Sequence, residues 1–195
     1  MGRAIVITMP RLLIICSLVL AGLWLVADDF NVTPGAAENR LLLAEINREE
    51  GVAFRRRNAA EEGFVELPNG MQVKILEYGG GRIPDPDDWV RVHYQGWHID
   101  GRLFDSSRRL GLPGTVPIEQ TIAGWQQVLA SIPEGTRARI VLPPELAYGL
   151  AGSGFIGPDE TLIFEIELLG IIESPASQHD LPPLDPLQQP VPGLG

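Results

Sequence analysis

The chain has 195 residues, room for one ordinary domain with extensions, and 45% hydrophobic content is enough for a packed core. A net charge of −10 argues against a nucleic-acid partner, because no basic stripe is available to neutralise phosphates. One cysteine, Cys16, and three histidines, His93, His98 and His179, give no disulfide, no thiol chemistry and no metal-ligand spacing.

Residues 1–27 read as a targeting segment. Arg3 and Arg11 form a basic start, and an apolar run extends from Leu12 to Val26. That run is shorter than the ~20 residues of a spanning helix and nearer the ~7–15 of a signal core. Leu25 stands where cleavage before Asp28 would want a small residue, so a signal peptide and an uncleaved signal anchor both stay open. In either case the arginines remain cytoplasmic and the rest is exported, with membrane contact only through residues 1–27. Cys16 reads as a membrane-facing apolar residue.

Residues 34–62 read as a helical extension. Thr33 can cap it, Pro34 suits its first turn, and Gly63 is a natural stop. Leu42, Ile46, Ala53 and Phe54 fall near one face, a thin stripe that leaves three options open: packing on the domain, on a second copy, or on nothing firm. Arg55, Arg56 and Arg57 lie between acidic pairs and read as a solvated face.

Residues 64–172 read as the domain proper. Leu67-Pro68-Asn69-Gly70 is a turn, and Val73, Ile75, Leu76 and Tyr78 suit a strand. Gly79-Gly80-Gly81 lacks a following Lys-Ser/Thr pair and reads as a flexible turn, not a phosphate cradle. Val90, Val92 and Tyr94 alternate with Arg91, His93 and Gln95, the period of a half-buried strand. His93 and His98 read as surface histidines. Asp100-Gly101 marks a hairpin, and Phe104 opens another short strand. Val116-Pro117-Ile118 is edge-like. One helix spans Gly124 to Ser131, with Ile122, Trp125, Leu129 and Ile132 at helical spacing. Ala138, Ile140 and Leu142 mark a strand, and Leu162, Phe164, Ile166 and Leu168 a closing one. The Gly- and Pro-rich residues 144–160 read as a long functional loop whose Tyr148, Phe155 and Ile156 suggest pocket walls. Residues 173–195 read as a disordered, Pro-rich tail. The expected fold class is α+β: an antiparallel β-sheet wrapped around one short helix, preceded by an N-terminal helix.

Six segments carry a resemblance. Val92-His93-Tyr94, Asp100-Gly101, Phe104-Asp105-Ser106-Ser107, Ile122-Ala123-Gly124-Trp125, Ala147-Tyr148-Gly149 and Thr161-Leu162-Ile163-Phe164 occur in the order and spacing of the FKBP-type peptidyl-prolyl cis/trans isomerases. The chain resembles that family over about residues 64–172. Leu67-Pro68-Asn69-Gly70-Met71-Gln72 and Asn58-Ala59-Ala60-Glu61-Glu62-Gly63 are similar to its bacterial Mip-like branch, typically exported and often dimeric through a longer N-terminal region.

The resemblance implies a periplasmic enzyme that isomerises X-Pro bonds in proline-containing polypeptide clients, binds macrolide inhibitors and uses no cofactor. Trp125 is then the pocket floor, with Tyr94, Phe104 and Phe164 as walls. The Ile122 N–H and the Tyr148 hydroxyl bond substrate carbonyls. Asp105 is the pocket's polar member, and Thr121, Phe155 and Ile156 contact substrate. Pro113-Gly114 stands where the family often has an aromatic, which implies a thinner wall, and the flap Leu150-Ala151-Gly152-Ser153-Gly154 has no histidine. The alternative is a chaperone-like binding module with the same pocket and weak catalysis.

Overall fold

A computed structural model describes residues 34–172. The readings of residues 1–27, Thr33, His179 and residues 173–195 lie outside the described residues.

Helix α1, Pro34–Asn58, comes first. Then follow strands β1, Val65–Glu66; β2, Gln72–Glu77; β3, Trp89–His98; and β4, Leu103–Ser106. A single turn of helix, α2, Ser107–Leu110, leads to β5, Gly114–Pro117. Helix α3, Ala123–Leu129, precedes β6, Arg137–Leu142, and β7, Leu162–Ile172, closes the sheet. The sheet is antiparallel, in the order β1-β2-β6-β7-β3-β4, with β5 also paired to β3. This is the expected α+β architecture.

Strand parity builds the core. Val90 and Val92 of β3, Ile140 and Leu142 of β6, and Leu162, Ile166 and Leu168 of β7 are fully buried. They meet Trp125, Val128 and Leu129 of α3 in one hydrophobic cluster. Gly124 lets α3 sit close, since a Cβ there would stand 2.4 Å from Leu142 Cδ2.

Three sequence expectations need correction, and one open reading is narrowed. First, α1 ends at Asn58, and residues 59–63 are turns leading to Gly63 at φ +86°. Second, of the three options left open for its apolar stripe, packing on the domain drops out: the stripe points outward, with Leu42 60% and Ile46 44% exposed. The buried face is Ala44, Gly51 and Asn58, because small and polar residues let the helix lie against loop backbone. A Cβ on Gly51 would meet Thr161 Oγ1 at 2.3 Å. Arg55 belongs to this face and donates to Thr161 Oγ1, whereas Arg56 and Arg57 are exposed. Third, the triple glycine is held at both ends, with only Gly80 in open space: the Gly81 N–H donates to the Glu134 carbonyl, and a Cβ on Gly79 would meet that oxygen at 2.0 Å. Fourth, His98 is buried. Strand β3 reaches it, and parity puts it on the inner face with Val90, Val92 and Gly96. Its Nδ1 meets Glu160 Oε2 at 2.5 Å. His93, on the other face, is half-buried with its Nδ1 3.0 Å from Ser107 Oγ.

Candidate functional site

Between α3 and the inner face of the sheet lies a cavity of about 410 Å³. Its floor is Trp125, first turn of α3 and 7% exposed. Tyr94 comes from β3, Phe104 and Asp105 from β4, Phe164 from β7, and Tyr148 from the loop after β6. Thr121 and Ile122 line the rim where the chain enters α3.

The rings interlock edge-to-face, the arrangement that aligns positive ring edges with negative faces. Trp125 meets Tyr94 at 5.2 Å between centroids and Phe164 at 5.6 Å, and Phe164 meets Phe104 at 5.6 Å. Backbone makes the room for them. Gly96 pairs with Phe164 and with Asp105 across the sheet, and a Cβ there would stand 2.6 Å from Phe104 Cζ.

Polar groups sit at the edge. The Tyr94 hydroxyl donates to Asp105 Oδ2 at 2.7 Å, and Asp105 Oδ1 accepts the Ser106 N–H at 2.8 Å. Ser107 Oγ accepts the Tyr94 N–H at 2.8 Å, fixing β3 to the start of α2. Among the described residues, neither the Tyr148 hydroxyl nor the Ile122 N–H has a hydrogen-bond partner. Burial, and then the nearby Asp105 carboxylate, push the Tyr148 hydroxyl above its ordinary range, so it remains a donor at neutral pH. The Trp125 Nε1–H is buried and likewise unpartnered. Ser107 also lines the cavity, its Oγ 3.0 Å from His93 Nδ1, and that oxygen is engaged by the Tyr94 backbone, accepting its N–H and donating to its carbonyl at 3.2 Å. The arrangement can hold a small apolar ring and anchor a chain beside it through two donors.

Of the ten residues singled out from sequence, eight surround this cavity: Tyr94, Phe104, Asp105, Thr121, Ile122, Trp125, Tyr148 and Phe164. Phe155 and Ile156 do not line it. The Ser153–Ile156 bridge turns Phe155 outward, 91% exposed, while Ile156 packs against the core cluster. Sequence reasoning missed Leu110 and Leu112, which line the cavity with Pro113. Their only signal was an apolar pair flanking Gly111, whose φ of +72° ends α2.

An antiparallel sheet curled over one short helix, enclosing an aromatic slot with free donors at its rim, defines a domain built to hold a small apolar group. Comparison with known proteins narrows it. A family model described as FKBP-type peptidyl-prolyl cis-trans isomerase matches residues 80–169. The crystal structure of a peptidyl-prolyl cis-trans isomerase from Pseudomonas syringae pv. tomato superposes with a TM-score of 0.62 at 34% identity, covering 67% of this chain and 96% of that one. FkpA from Escherichia coli superposes with a TM-score of 0.70 at 36% identity, covering 72% and 66%. The outer membrane protein MIP of Legionella longbeachae is 43% identical over 129 residues, 66% of this chain and 55% of that one. The chain belongs to the FKBP-type peptidyl-prolyl cis-trans isomerase family. It spans about half the length of the curated relatives it matches, 50–60% of each.

Proposed function

We propose that the chain is a peptidyl-prolyl cis-trans isomerase that assists the folding of exported, periplasmic proteins. The observation that carries this reading is the Trp125-floored aromatic cavity with two unpartnered donors at its rim. Family membership supports it. Export rests on the basic-then-apolar character of residues 1–27, as signal peptide or anchor, and on similarity to relatives such as the outer membrane protein MIP. On the same reading residues 34–62 are an extension, 64–172 the isomerase domain and 173–195 a tail.

Rotation about an X-Pro bond is opposed by a barrier of ~18–20 kcal/mol because amide resonance must be broken. The twisted transition state is less charge-separated than the planar amide. A dry aromatic slot therefore disfavours the twisted state less than the planar one. The prolyl ring lies on Trp125 between Tyr94, Phe104 and Phe164. The Ile122 N–H and the Tyr148 hydroxyl hold the flanking carbonyls, so one side of the bond is fixed while the other turns. Asp105 restrains Tyr94. Thr121 borders the substrate chain, and Phe155 and Ile156 are contacts only for residues that extend beyond the cavity. Chemistry of this kind asks for no nucleophile and no cofactor. A macrolide would occupy the same slot and inhibit. A second copy would meet α1 on its outward Leu42, Ile46 and Ala53, which sedimentation velocity tests.

The direct test follows cis-to-trans conversion of short X-Pro peptides, which takes roughly 10–100 s uncatalysed at 25 °C. The expected result is a rate that rises with protein concentration and is lost in the Tyr148→Phe, Phe104→Ala double variant. A folded protein that accelerates no peptide across several X residues would shift the reading to a binding module.

A further inference from the structure

Glu160 stands just before β7 and has both carboxylate oxygens engaged. Oε1 accepts the Gly157 N–H at 2.7 Å, and Oε2 meets His98 Nδ1 at 2.5 Å. His98, 6% exposed, has its ring edge-on to Phe104, with centroids 5.2 Å apart. Phe104 in turn is a wall of the cavity and stands edge-on to Phe164. The far side of the loop is also held. Asn47 of α1 donates to the Pro158 carbonyl at 2.7 Å, and Arg48 pairs with the buried Asp159 carboxylate. The loop end that carries Glu160 is thus fixed at both flanks, and its carboxylate reaches across to the ring that backs Phe104. The hairpin charges nearby are Asp100 and Arg102, which bond each other.

A buried imidazole could have been satisfied by backbone alone. Here it is tied to a carboxylate from a segment 62 residues away in sequence, and its ring supports one pocket wall. We propose that Glu160 is a positioning residue for the prolyl slot: through His98 it sets the orientation of the Phe104 ring. The inference rests on the reading of the cavity as the prolyl site. It predicts that Glu160 affects how well substrate is held more than how fast the held bond turns.

The test uses the full chain and compares Glu160→Ala, Glu160→Gln, His98→Phe and the Glu160→Ala, His98→Phe double variant. Two readouts are taken: kcat and KM on an X-Pro peptide series, and the aromatic NMR signals of Phe104 with its contacts to Phe164. Glu160→Ala is expected to shift and broaden the Phe104 signals and to raise KM about tenfold while kcat stays within about twofold. Glu160→Gln, whose amide can accept from Gly157 and donate to His98, is expected to restore both. The double variant should be no worse than the worse single one, since the two residues act as one link. Unchanged Phe104 signals in Glu160→Ala, or additive effects in the double variant, would overturn the proposal. If Glu160→Ala does not fold, His98→Phe carries the same test, because it keeps a ring against Phe104 and removes only the tie. If the wild-type protein proves inactive, the isomerase reading fails, but the NMR comparison still decides whether Glu160 orients Phe104.

Discussion

Tyr148 and Gly96 show how single residues set this site. Tyr148→Phe keeps the ring on the cavity rim and removes one donor. The expected loss is about tenfold in kcat/KM, or about 1–1.5 kcal/mol, with an unchanged fold by circular dichroism. The same hydroxyl has a pH consequence. In the unfolded chain a tyrosine ionises near ~10, whereas burial and Asp105 keep Tyr148 protonated beyond that in the folded state. Above the unfolded value the unfolded chain therefore binds fewer protons than the folded one. Stability from this group is whole below about pH 10 and falls as pH rises through the folded value. Urea titrations at pH 9 and 11 should differ less in Tyr148→Phe than in the wild type. Gly96→Ala is expected to push Phe104 and Phe164 into the slot they line, since the new methyl would stand within 3.0 Å of both rings. Its signature is a higher KM combined with about 1–3 kcal/mol of destabilisation from overpacking. Much of this scale was legible beforehand. The loop carrying Tyr148 suggested pocket walls, the six-segment resemblance supplied the site residues, and eight of the ten chosen surround the cavity. Phe155 was misplaced because an apolar residue in a Gly-rich loop has the same sequence signal whether it faces inward or outward. Leu110 and Leu112 were missed because one turn of helix is too short to show a period.

Elements formed by strict alternation were equally legible. Strands β3, β6 and β7 carry a period-two pattern, and their inner residues are the core. Helix α1 was not, and the reason is physical. Hydrophobic periodicity assumes that a helix docks through its apolar stripe, but this one docks on loop backbone and polar side chains. Its contacts are hydrogen bonds: Arg40 to the Leu150 and Ala151 carbonyls, Asn47 to Pro158, and Asn58 to Gln72 Oε1 at 2.7 Å. Gln72 is the hub. It is wholly buried on β2, and its Nε2 also donates to the Arg55 carbonyl and to Glu66 Oε2. Gln72→Ala leaves an amide and a carbonyl without partners in a buried place. We expect a loss of about 1–3 kcal/mol in urea unfolding. Hydrogen exchange should quicken in the last turns of α1 while the centre of the sheet stays protected. A uniform increase across the sheet would show that α1 and the domain are one cooperative unit. The buried histidine was also misjudged at this scale. Its partner Glu160 lies in the loop before β7, and only the pairing of β3 with β7 brings the two together.

At the scale of the whole molecule, the antiparallel sheet around a short helix follows from pattern alone, but strand order does not. Nothing in the local sequence says that β2 pairs with β6, or that β7 passes between β6 and β3. Side-chain periodicity fixes which face of a strand is buried and leaves its neighbours open. That placement of β7 governs the order of events when the chain is made. The central strand of the sheet is the final one described, and it pairs with residues more than 60 positions earlier, such as Trp89 with Ile172. Non-local pairing of this kind forms late, after a long loop has been closed. A ribosome stalled before Leu162 has emerged should therefore display a chain fully open to protease, and release of the segment to Ile172 should bring protection in a single step. A stepwise gain beforehand would show that β2 through β6 hold together alone. On the exported reading, this late closure has a use: the polypeptide remains threadable until almost all of its domain has crossed the membrane.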